Sequence, residues 1–246
     1  SILHRMLKRL GGWYLLLAVL ATQITASIGA IAADYTIQVN AEFDPETLFV
    51  IVRFFSYFVY ATAIIMLGFV FFRYRSLRQK LNAWKNDKPL DRDETGWREI
   101  TSLSWRYTLL LFGAGIFVEV LPALLYIINI PQVTFDQVIF STLGLIAGVI
   151  GTTVVALLMI EYLLKPVREV LLPEKFEDQI RGDMGLKLAR KLPLTILALV
   201  ITALLLSAPI GYHQTTKALQ TGMDDVLNAM RTQSLVVAFF IILYGM

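Results

Sequence analysis

The chain has no cysteine, so disulfide bonds and thiolate metal sites are excluded. It has only two histidines, His4 and His213. It carries no glycine-rich phosphate loop of the GxxxxGK type and no metal-ligand spacing. Charge is scarce: 17% of residues are Asp, Glu, Lys or Arg, against about 25% in an average soluble domain. No nucleophile–base constellation emerges. The sequence therefore predicts no catalytic residue, no metal ligand and no cofactor within this stretch.

Apolar residues are abundant instead. They make up 57% of 246 residues, and the mean hydropathy is +0.64. A helix needs about 20 apolar residues to cross a bilayer core. Runs of suitable character lie at 10–33, 48–72, 107–129, 137–160, 192–216 and 232–246. The first is too long for a signal-peptide core of about 7–15 residues and lacks an obvious cleavage site. The sixth is shorter than a full crossing and reads as a span cut short. Ser1 in place of an initiating Met, and an end inside an apolar run, suggest a piece of a longer chain. The prediction is an all-α integral membrane fold over 1–246: a six-helix transmembrane bundle with cytoplasmic amphipathic connectors at 73–106 and 161–191.

Basic residues set the orientation. The net charge is +3 and the pI about 9.1, but the cations flank apolar runs, as topology determinants do, which argues against nucleic acid as a partner. Of 22 Lys and Arg, only Arg53, Lys217 and Arg231 fall on the other side from the rest. The positive-inside rule then puts both connectors and both termini in the cytoplasm, in a multi-pass protein of the inner membrane. His4 and His213 end on opposite faces. The outer segments are short, and the first is read as an acidic loop from Asp34 to Arg53. None can hold a separate ligand-binding domain of about 50 residues.

Both connectors read as helical where they leave the membrane, the first until Asp87-Lys88-Pro89 and the second until Pro173. They would lie on the lipid surface or pass motion to a partner. A weak internal repeat aligns Arg75-Ser76-Leu77-Arg78 with Lys165-Pro166-Val167-Arg168. Lys165, Pro166 and Arg168 are candidates for a transmission element. Glu119 lies inside the third run, where a charge costs at least about 2.5–3.5 kcal/mol. It is the candidate intramembrane polar site, with Tyr212 and His213 as candidate neighbours near the outer end of the fifth run. Gly144, Gly148 and Gly151 lie along one side of the fourth run and permit close helix approach, within the chain or in a homodimer.

One resemblance rests on the order of the spans and on the words around the fourth. Ile160-Glu161-Tyr162-Leu163-Leu164-Lys165-Pro166-Val167-Arg168, followed by Arg190-Lys191 opening the next run, resembles the membrane anchor of bacterial six-span, HAMP-linked class III adenylate cyclases. The resemblance implies a dimeric enzyme whose sixth span leads through a HAMP linker to a two-metal cyclase domain. Both are missing from this chain, so no catalytic residue carries over. The implied partners are the lipid bilayer, a second copy, and a small-molecule or lipid signal. The input module of a sensor histidine kinase or diguanylate cyclase, and a small six-span permease, stay open as alternatives.

Overall fold

The structure, a computed structural model, describes residues 2–88 and 94–173, together with 196, 197, 200, 201 and 204. The helices are α1 (Ile2–Leu10), α2 (Trp13–Asn40), α3 (Pro45–Arg73), α4 (Arg75–Lys85), α5 (Glu94–Ala114), α6 (Leu121–Ile128) and α7 (Phe135–Leu171), with a π-helical turn, Gly115–Val120, joining α5 to α6. Among the described residues every element is helical, as expected. Three stretches are long and apolar enough to cross a membrane: Pro45–Arg73, Glu94–Ile128 and Phe135–Leu171. They contain the second, third and fourth apolar runs. The first run is represented by a shorter apolar stretch, Trp13–Ser27. The span at 232–246, most of that at 192–216, and connector residues 174–191 lie outside the described residues.

The expected acidic loop from Asp34 to Arg53 is mostly helix. A carboxylate at Asp34 does not end α2, which continues to Asn40. The chain turns at residues 41–44, where Glu42 adopts a φ of 48°. Pro45 opens α3, and proline suits a first helical position because its missing N–H has no partner there anyway. Asp44 precedes it, and Thr47 N donates to Asp44 Oδ1 at 2.9 Å. This is a cap on helix groups that otherwise lack partners. The 73–106 connector is likewise more helical than expected at its end. α5 starts at Glu94 and runs into the third span without a break.

The chain forms two compact units. The first draws on residues 1–26, 60–112 and 153–193. Its core includes Tyr14, Met66, Tyr74, Leu77, Leu103 and Ile160, all at most 1% exposed. Here α1 folds back onto α4 through Gly11–Gly12. Gly11 has φ +59°, a left-handed conformation that glycine tolerates. Gly12 N donates to Asn82 Oδ1 at 2.7 Å. A Cβ on Gly12 would lie 2.4 Å from the Arg78 carbonyl oxygen, so only glycine fits. Lys8 Nζ closes the contact, donating to the Trp84 carbonyl at 3.0 Å and to Asp87 at 2.5 Å. The sequence of α4 dictates its role: Leu77 and Leu81 share one face and are buried. The helix ends where Asp87 takes a φ of 56°.

The second unit draws on residues 27–59, 113–152 and 194–246. Ile37, Phe55, Val120, Ala123, Leu145 and Val149 form its core. In lipid, helix association rests on close packing rather than on water exclusion. Two contacts of that kind stand out. Phe54 stacks on Tyr126 with ring centroids 4.2 Å apart. Gly115 lies so close to α7 that an added Cβ would meet Val149 Cγ1 at 2.8 Å.

Candidate functional site

Glu161 and Arg168 lie two turns apart on α7, and their side chains are only 4% and 3% exposed. Pro166 sits between them inside the helix. Its ring has no N–H to give the carbonyl of residue 162 and crowds it, which normally kinks a helix. Side chains serve the carbonyls on either side. Arg168 Nη2 donates to the Glu161 carbonyl oxygen at 2.6 Å, and Tyr14 OH donates to that of Leu163 at 2.7 Å, tying α2 to α7. Arg168 Nη1 lies 3.7 Å from Glu161 Oε1. The guanidinium is under-satisfied all the same: Nε and Nη1 are buried and have no hydrogen-bond acceptor among the described residues. Such groups are costly in a low-dielectric interior and hold their place only if the surrounding packing does.

The same device occurs at the other connector. Arg78 Nη2 donates to the carbonyl of Phe71, also seven residues back, at 2.8 Å. Its guanidinium lies 3.9 Å from the Phe71 ring centroid. The weak repeat in the sequence thus has a geometric counterpart. Phe71 corresponds to Glu161 and Arg78 to Arg168. Val70, Tyr74, Leu77 and Leu81 correspond to Ile160, Leu164, Val167 and Leu171, and all eight are at most 1% exposed. The copies differ in how the helix is disturbed: by an interruption at Tyr74, with φ −106° and ψ 30°, and by Pro166 within continuous helix. Of the three predicted transmission residues, Lys165 is exposed while Pro166 and Arg168 are buried.

Glu119 is half-buried and sits in the π-helical turn. The cause of the wider turn is near at hand in the sequence. Pro122 cannot donate to the carbonyl of Val118, so the backbone is already free to depart from regular α geometry. Tyr212 and His213, its expected neighbours, lie outside the described residues. Gly144, Gly148 and Gly151 are all buried. The apolar window of α7 is 61% buried, against 22% for α3, so α7 is the more enclosed of the two.

One feature escaped notice in the sequence. In the second unit a cavity of about 10 Å³ is lined by Asp34 together with apolar side chains, among them Ile37, Ile51, Phe55, Ala123 and Leu145. That volume suits about one water molecule and excludes an organic ligand. Asp34 read as the first residue of a loop because it is the first charge after an uncharged run. Among the described residues no group of three His, Asp or Glu side chains is placed to hold a metal.

Fold and sites together define an all-helical protein with membrane-length helices and two arginine-latched joints at the ends of α3 and α7. No family model, curated protein or solved structure matches the chain.

Proposed function

We propose that this chain is the membrane-anchoring, signal-input region of a bacterial signalling enzyme. It crosses the inner membrane six times, keeps both connectors and both ends in the cytoplasm, and acts as a homodimer. Its output is a class III adenylate cyclase domain, outside this chain, that makes cyclic AMP from ATP. The observation that carries the reading is the matched pair of joints. An input region must pass a displacement of its spans to its output domain. A joint at Tyr74 or Pro166 would absorb that displacement if it were loose. At each joint an arginine spans two turns and ties the connector back to the preceding span. A signal, small molecule or lipid, shifts such a device only by binding two helix arrangements with different affinity.

The permease reading rests on a different observation, Glu119 in the π-helical turn within a membrane-length helix. One experiment separates the readings. The complete reading frame containing this chain is expressed, and the protein is assayed for cyclic AMP, cyclic dinucleotide and phosphohistidine formation, and for solute flux in proteoliposomes. The proposal expects cyclic AMP. A cyclic dinucleotide or phosphohistidine would replace the output domain, and flux without any of these products would favour the permease.

A further inference from the structure

The paired helices α1 and α4 contain no acidic residue. Two of their cations are used internally: Lys8 pairs with Asp87 and Arg78 holds Phe71. Four others, Arg5, Arg9, Arg75 and Lys85, are exposed and make no ion pair among the described residues. The same surface exposes apolar side chains. Ile2 is 68% exposed and Met6 36%, and they alternate with Arg5 and Arg9 at helical spacing. Trp13 and Phe72 are exposed at 59% and 77%, where α1 meets α2 and where α3 ends.

Cations alone would suit any polyanion. Cations interleaved with exposed Ile, Met, Trp and Phe suit a surface that is anionic outside and apolar just beneath, which is the description of a charged lipid leaflet. The covalent arrangement agrees. α1 leads directly into the apolar stretch Trp13–Ser27, and α4 comes directly after the membrane-length Pro45–Arg73. Tryptophan is enriched at that boundary. We propose that the α1–α4 face is a docking surface for anionic phospholipid, with Arg5, Arg9, Arg75 and Lys85 on the headgroup phosphates and Ile2 and Met6 at the acyl boundary. This is independent of the output domain.

The test uses the purified full chain in mixed micelles. Retention of phosphatidylglycerol and of phosphatidylcholine is measured by native mass spectrometry. Each cation near an anionic leaflet raises affinity about fivefold, so phosphatidylglycerol should be preferred by at least about tenfold. The variant Arg5→Gln/Arg9→Gln/Arg75→Gln/Lys85→Gln, altered only at exposed and unpaired positions, should lose that preference and still retain phosphatidylcholine. A second arm needs no variant: at about 1 M salt, where screening acts within about 3 Å, the preference should vanish in the unaltered protein. Equal retention of the two lipids, a preference that survives the four substitutions or the salt, or full displacement by soluble glycerol phosphate would overturn the proposal.

Discussion

Arg168 reaches back seven residues along α7 to the carbonyl oxygen of Glu161, at 2.6 Å, and places its Nη1 3.7 Å from the same residue's carboxylate. Both side chains are almost wholly buried, so a change in either is felt by the other. Arg168→Met should cost about 1–3 kcal/mol, because it removes the donor to the Glu161 carbonyl and the cation beside the Glu161 carboxylate. Arg168→Lys should recover little, since an ammonium lacks the planar fork that serves the carbonyl and carboxylate together. The double variant Glu161→Gln/Arg168→Met should cost less than the sum of the single changes. Unfolding of the four proteins in detergent closes a double-mutant cycle. A coupling above about 1 kcal/mol is expected, and simple additivity would contradict the pairing.

Gly12 should not tolerate alanine. The added Cβ would meet backbone, the Arg78 carbonyl at 2.4 Å, so α1 and α4 would have to separate. A cost of about 1–3 kcal/mol is expected, as for other overpacked sites. Gly68 is the control, because a Cβ there meets nothing within 4 Å. Gly68→Ala should leave stability unchanged or raise it by about 0.5–1 kcal/mol, because alanine suits a helix interior better than glycine. Thermal unfolding of both variants in the same detergent distinguishes the two sites.

The helical class, three helices of membrane length over the second to fourth apolar runs, and the helical starts of both connectors were legible because they depend on composition and period alone. α4 shows why: Leu77 and Leu81 repeat at helical spacing, and its end is written in Asp87-Lys88-Pro89. Two things were not legible. Charge marked Asp34 as a loop residue, whereas the true turn is set by backbone chemistry at Asp44-Pro45. The Arg168 latch depends on a side chain spanning two turns past a proline, a three-dimensional reach that spacing alone does not reveal. The repeated words around Arg78 and Arg168 were visible, but not that both arginines end on a carbonyl.

Asp44 gives the fold a pH dependence. Hydrogen bonds from Thr47, first from its side chain and then from its backbone N–H, hold the Asp44 carboxyl below the usual carboxylate range. A lowered folded-state pKa means that the ionised form favours the fold. The contribution is complete above the unfolded value of about 3.9 and is lost as pH falls through the lower folded value. Asp44→Asn keeps a capping oxygen but has no charge to titrate. The unfolding midpoint of the wild type should exceed that of Asp44→Asn at neutral pH, with the gap closing as pH falls below about 4. A gap that stayed constant across this range would assign the difference to something other than the Asp44 charge.

We propose that α3 and α7 cross the membrane in the same direction and deliver their latched connectors to the cytoplasm. Glu46, in the first turn of α3, and Lys88, just beyond α4, lie towards opposite ends of α3 and are exposed, and the chain has no cysteine to interfere. The decisive measurement is labelling of Glu46→Cys and Lys88→Cys by a membrane-impermeant maleimide in intact cells. Glu46→Cys should react at once and Lys88→Cys only after permeabilisation. Labelling of Lys88→Cys in intact cells, with Glu46→Cys protected, would contradict it.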